Sequence, residues 1–164
     1  MTSIYLLLGT NLGNKSANLQ RAKELLTSHA IIIKKESRIY ETAAWGNEDQ
    51  PSFLNQVVEV DSNKSPQRIL TLVNQIEEEM GRVRFEKWGE RLIDIDILYF
   101  GSHEIQNEDL VIPHPEIQNR RFTLAPLAEI APSFIHPVLK KTQQELLDDC
   151  VDLLEVTVWE PVYS

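Results

Sequence analysis

Asp94 and Asp96 are separated by one isoleucine in residues 87–98, which read Lys-Trp-Gly-Glu-Arg-Leu-Ile-Asp-Ile-Asp-Ile-Leu. Apolar and polar positions alternate over 92–99 with the two-residue period of a strand. Ile93, Ile95 and Ile97 fall on one face, while Asp94 and Asp96 share the other with Leu92 and Leu98. Same-face neighbours on a strand lie roughly 7 Å apart, near enough for two carboxylates to hold a divalent cation, or a pair of them. Two like charges at that spacing repel, so the arrangement calls for a cation. Arg82, Arg84, Lys87 and Arg91 lead into the strand and offer donors suited to phosphate oxygens. Carboxylates for metal beside cations for phosphate are the components of Mg-dependent phosphoryl transfer. An Asp-x-Asp on its own would more readily be the wet face of an antiparallel sheet. The four cations with Trp88 and Gly89 tip the reading toward a metal–phosphate site.

The elements that must position these residues follow from periodicity and capping signals. Residues 3–8 read as a buried strand ending at Gly9, and a helix over about 16–28 buries Leu19, Ala22, Leu25 and Leu26. The turn between them is glycine-rich, as phosphate-cradling turns are, yet it lacks the Gly-Lys-Ser/Thr ending of a P-loop. Strands are expected at 31–40 and 54–61, with a polar loop at 41–52 between them. Ser65 and Pro66 suit the cap and first position of a second helix, with Ile69, Leu72, Val73, Ile76 and Met80 buried and Gly81 at its end. Gly101-Ser102 is expected to turn into a short hairpin partner at 104–106. Strand-helix-strand-strand-helix-strand is the order of a ferredoxin-like α+β fold, an antiparallel sheet with helices packed on it. Residues 119–130, despite Pro126, and 142–150 read as a C-terminal helical extension, and 153–159 as a last strand.

A chain of 164 residues is expected to form a single domain, 1–164. Its net charge of −9 argues against a nucleic-acid partner, which would need a broad basic surface. The cations at 82–91 are a local exception and favour a small anionic ligand. Cys150 is the one cysteine, a pattern that fits a reducing, cytoplasmic setting; it reads as a small apolar helix residue. No apolar run reaches membrane-spanning length, and residues 4–8 are too short for the apolar segment of a signal peptide. His29, His103 and His136 read as structural or surface residues.

The ordered motifs are similar to those of the 6-hydroxymethyl-7,8-dihydropterin pyrophosphokinases. They run from Gly9-Thr10-Asn11-Leu12-Gly13 through Tyr40-Glu41-Thr42, Asp49-Gln50-Pro51-Ser52-Phe53-Leu54-Asn55, Ile76-Glu77 and Gly81-Arg82-Val83-Arg84. They continue with residues 87–98, Pro113-His114-Pro115, Asn119-Arg120-Arg121-Phe122 and His136-Pro137. The resemblance implies transfer of pyrophosphate from ATP to the pterin hydroxymethyl group, with AMP released and no partner beyond these two small molecules. It implies that Asp94 and Asp96 bind two Mg²⁺ ions, and that Arg82 and Arg91 are catalytic. By the same resemblance Arg84, Lys87, Trp88, Arg91, Ile97, His114 and Arg120 contact ATP. The pterin falls to Thr42, Ala43, Ala44, Trp45, Phe53, Asn55, Trp88 and Phe122, with the two phenylalanines at the stacking positions and Asn55 at the polar edge. The expected enzyme is a monomer.

This chain departs from the family pattern in carrying Ala43-Ala44-Trp45-Gly46 where many members have proline, Asp109 or its neighbours where some have a basic residue, and Lys87 where arginine also occurs. Two other classes share parts of the pattern. A cyclase-type transferase on a ferredoxin-like core would not need the stacking aromatics, and a non-catalytic sensor domain would have no use for two carboxylates facing a cationic loop.

Overall fold

The computed structural model describes residues 2–43, 51–81 and 92–161. At its centre β1 (Ile4–Thr10), buried along its whole length, pairs antiparallel with β4 (Phe53–Asp61) on one side and β5 (Asp94–Phe100) on the other. The next position is filled by two half-strands, β2 (Ile32–Glu36) on the far end of β4 and β3 (Tyr40–Thr42) on its start. A single strand over 31–40 was expected; the chain instead breaks at 37–39. There the buried Ser37 hydroxyl accepts the Val57 N–H at 3.0 Å and donates to the Arg38 carbonyl at 2.7 Å, so a side chain replaces a ladder bond.

The segment at 104–106 also differs from expectation. β6 (Ile105–Gln106) pairs with β7 (Val111–Ile112) in a separate two-stranded sheet, not with β5. The last strand, β8 (Val156–Val158), pairs with β3, giving the order β5-β1-β4-β3-β8 with β2 also on β4. This is the ferredoxin-like arrangement with its second strand broken in two and one strand added.

Helices cover both faces. α1 (Lys15–Ser28) and α2 (Pro66–Met80) bury their apolar stripes against Ile4, Leu6, Leu8, Val58, Ile95 and Ile97. Asn14 caps α1 by accepting the Ala17 N–H, and Ser65 caps α2 by accepting that of Arg68. α3 (Arg121–Ile130) and α4 (Gln143–Asp149) pack with Ile117 on the opposite face, over Tyr5, Leu7, Val57, Leu98 and Tyr99. α3 retains Pro126 within it, and α4 starts from a Thr142–Glu145 capping box.

The alternation along β5 does not run unbroken to Tyr99. The register with β1 shifts between Tyr5 and Leu6, leaving Leu98 unmatched, and Leu98 and Tyr99 both join the α3–α4 side while Phe100 joins the α1–α2 side. A bulge of one residue inverts every side chain beyond it. Among the described residues no helix is long and apolar enough to cross a membrane.

Candidate active site

Strand register sets the site. Asp94, Gly9, Asn55 and Tyr40 stand opposite one another across β5, β1, β4 and β3, and Asp96, Leu7 and Val57 form the next row. Toward the row of Asp94, the face that α3 and α4 cover opens into a cavity of about 390 Å³. Asp94 and Asp96 border it from β5, Thr42, Ala43 and Phe53 from the other flank of the sheet, with Leu7, Gly9 and Asn55 between them. Arg120 and Phe122, from the start of α3, and Leu154, from the tail, complete the described wall.

Gly9 matters here for space rather than for backbone freedom. A Cβ at this position would lie 2.8 Å from Asn55 Oδ1, so the carboxamide rests where a side chain would stand. Asn55 is 4% exposed and its side chain makes no hydrogen bond among the described residues, leaving the carboxamide donor and acceptor for a ligand. The Thr42 hydroxyl, likewise buried, has no partner among the described residues. A buried polar group without a partner costs stability, so this end of the cavity suits a polar ligand.

Residues that flank the 43–51 segment are held to one another. Lys15 donates to the Ser52 carbonyl at 3.0 Å and to its hydroxyl at 3.2 Å, and that hydroxyl donates to Glu41 at 2.6 Å. On the opposite wall the Arg120 guanidinium lies 5.6 Å from the centre of the Phe122 ring, a cation–π contact that fixes both side chains.

His114 follows Pro113 alongside β5, its N–H bonded to the Leu98 carbonyl at 3.0 Å. Its Nδ1 accepts the Glu116 N–H at 3.1 Å, so the neutral ring carries its proton on Nε2 and is a donor. Burial pushes its pKa down; Asp96 opposes that shift and Arg120 reinforces it. A neutral donor beside the carboxylate strand is therefore available near neutral pH.

The described residues thus bring together Asp94, Asp96, Arg120, Thr42, Ala43, Phe53, Asn55 and Phe122 around one cavity. Ile97 is not among them: its side chain belongs to the core on the α1–α2 face, so only its backbone is left to meet a ligand. Arg82, Arg84, Lys87, Trp88, Arg91, Ala44 and Trp45 lie outside the described residues. Sequence reasoning missed Leu7, Gly9 and Leu154 as lining residues. Glu77 stood within a motif but without a role; its carboxylate accepts the Ile95 N–H at 2.7 Å, between the two aspartates. Glu77 had a local signal, a carboxylate one turn before the end of an amphipathic helix; Leu154 had none.

No group of three or more metal-ligating side chains occurs among the described residues. The donor set is two carboxylates projecting from one strand face, which suits Mg²⁺: this ion keeps waters and takes one or two carboxylates together with substrate phosphates.

Residues 5–132 match the family model described as 7,8-dihydro-6-hydroxymethylpterin-pyrophosphokinase (HPPK). The chain is 41% identical over 157 residues to the 2-amino-4-hydroxy-6-hydroxymethyldihydropteridine pyrophosphokinase of Bacillus subtilis, covering 95% of this chain and 89% of that protein. It is 43% identical over 136 residues to the protein of the same name from Methylorubrum extorquens, covering 82% and 86% respectively. Among solved structures it resembles wild-type Plasmodium falciparum HPPK-DHPS with pteroate, at a TM-score of 0.73 and 19% identity, covering 90% of this chain and 42% of that one. An HPPK-DHPS crystallised in complex with substrates gives a TM-score of 0.72 at 17% identity, covering 90% and 43%. At those identities the likeness concerns the fold, and the chain spans less than half the length of either polypeptide.

Proposed function

The chain belongs to the 7,8-dihydro-6-hydroxymethylpterin-pyrophosphokinase family, and we infer that its reaction is transfer of pyrophosphate from ATP to the hydroxymethyl group of 6-hydroxymethyl-7,8-dihydropterin in folate biosynthesis. The observation that carries this reading is the two-ended cavity. It has paired carboxylates and Arg120 at one end, and Asn55, Thr42, Phe53 and Phe122 at the other.

The pterin occupies the second end. Phe53 and Phe122 stack on the flat bicycle, and Asn55 pairs with its amide-like edge, helped by the unpartnered Thr42 hydroxyl. That orientation holds the hydroxymethyl oxygen toward Asp94 and Asp96. These two aspartates hold Mg²⁺ in the working enzyme, two ions by family analogy. Metal held there would offset charge on the phosphate oxygens and acidify the attacking hydroxyl. Arg120 and the Nε2–H of His114 supply donors for phosphate oxygens. Arg82, Arg84, Lys87, Trp88 and Arg91 belong to the same task, Arg82 and Arg91 as catalytic cations, and Ile97 contributes backbone; Ala43, Ala44 and Trp45 border the pterin. No side chain is needed as a separate general base, since such transfers depend on positioning and charge.

One chain supplies both ends of the cavity, which supports a monomeric enzyme and a single domain over 1–164, whose tail strand joins the same sheet as the family-matched part. The lone cysteine supports a cytoplasmic setting. The test is product identity. ATP, Mg²⁺ and the hydroxymethyldihydropterin yield AMP and a pterin diphosphate in equal amounts by mass spectrometry, and neither without metal. ADP with a pterin monophosphate, or no pterin-dependent turnover, overturns the assignment.

A further inference from the structure

We propose that Leu154, held on a C-terminal strap, is a specificity-determining wall of the pterin slot; this rests on the pterin reading of the cavity. The family-model match ends at residue 132, and none of the motifs that carry the resemblance falls on the strap. Yet Leu154 lines the cavity together with Thr42, Phe53 and Phe122.

The strap is pinned on both sides of that leucine. Before it, Asp152 caps the start of α3 by accepting the Arg121 N–H at 3.0 Å, and its other oxygen accepts the Leu154 N–H at 3.0 Å. The Arg121 guanidinium reaches back to the Cys150 and Asp152 carbonyls at 3.0 and 3.1 Å. After it, Val156 pairs with Thr42 in the β3–β8 ladder, and the Trp159 N–H bonds to the Ile39 carbonyl at 2.8 Å. With both flanks fixed, the neighbouring leucines have opposite fates: Leu153 is 96% exposed, and Leu154 turns to the cavity.

An aliphatic wall offers shape without hydrogen bonds. Two rings stack on a flat heterocycle and Asn55 reads its edge, but neither sets the width of the slot. Leu154 does, rejecting a bicycle that is wider or carries a polar group on that side. Arg121 and Asp152 act through it and are positioning residues.

The experiment compares Leu154→Ala, Leu154→Met, Asp152→Ala and Leu153→Ala in the full chain. Pterin affinity is measured by equilibrium titration without ATP, alongside KM for each substrate and kcat. Leu154→Ala weakens pterin binding roughly tenfold and leaves the KM for ATP unchanged. Leu154→Met, close in volume, recovers most of that loss, Asp152→Ala shares the pterin-side defect, and Leu153→Ala matches the unsubstituted enzyme. An unchanged pterin affinity in Leu154→Ala, or equal weakening toward pterin and ATP, overturns the proposal while leaving the reaction assignment intact. An unsubstituted enzyme that forms no AMP from ATP and pterin overturns the assignment and this proposal with it. Should the alanine variant not fold, Leu154→Val is read by the same criteria.

Discussion

The reactive constellation depends on a few side chains whose neighbours leave them no alternative. Asp94→Asn or Asp96→Asn removes a proposed metal-binding carboxylate from the cavity-lining end of β5, where neither aspartate belongs to a core cluster. Each is expected to abolish most turnover at saturating Mg²⁺ while the thermal midpoint stays near that of the unsubstituted protein, which steady-state assays and calorimetry check together. Gly9→Ala makes the opposite point. Its Cβ would sit 2.8 Å from Asn55 Oδ1 and force the carboxamide aside. Pterin affinity is expected to fall roughly tenfold through the displaced hydrogen-bonding group, with ATP affinity little changed; titrating each ligand separately tests it. Glycine at this position was legible as the end of a strand, but its role was not. A close approach between side chains of paired strands depends on register, and register is a long-range property.

At the scale of elements, local signals were read well wherever the chain itself supplies the stop. Ser65-Pro66 and Gly81 bound α2 where capping chemistry expects them, and Thr142 opens α4 with a reciprocal pair to Glu145. The expectations that failed were about strands, whose continuity depends on partners. One strand over 31–40 became β2 and β3 because Ser37 substitutes its hydroxyl for a backbone group opposite Val57. Ser37→Ala leaves the buried Val57 N–H without that acceptor, at a cost of about 1–3 kcal/mol; urea unfolding is expected to report that loss with an unchanged slope. The hairpin partner assigned to β5 paired with β7 instead, and the bulge at Leu98 reversed the faces beyond it. Nothing in residues 92–100 announces that bulge, because the sequence stays apolar on both faces there.

For the whole molecule, the ferredoxin-like order was legible because each element's signal lies within a short span, while the aromatics beside the carboxylates came only with the family resemblance. The contribution of the tail was not, since β8 and Leu154 acquire meaning only by docking on β3. Stability of the assembled molecule carries a pH signature from His136, buried and donating nothing from Nδ1, which accepts the Val138 and Leu139 N–H groups at 3.1 Å. Burial holds this imidazole below its usual range, against a smaller opposing pull from Glu104. The unfolded chain, with a histidine near pH 6.5, therefore binds the proton more readily than the folded one. This contribution is complete above about pH 6.5 and is lost as the pH falls toward the lower folded value. His136→Asn keeps an acceptor but does not titrate, so its melting temperature is expected to decline less steeply on acidification, as calorimetry across that range would record.

The division of the sheet into two covered faces has a consequence for how the protein is made. Tyr5, Leu7, Val57, Leu98 and Tyr99 receive their described cover from residues 117–150, whereas the opposite face has α1 and α2 from the first half of the chain. On the ribosome, a nascent chain that has already emerged through β5 holds most of the core on one side and a bare apolar surface on the other. Such surfaces invite contact with neighbouring nascent chains. The helices that shield this surface also bring Phe122 and Arg120 to the cavity, so the interval of greatest stickiness during translation ends as the cavity gains its walls.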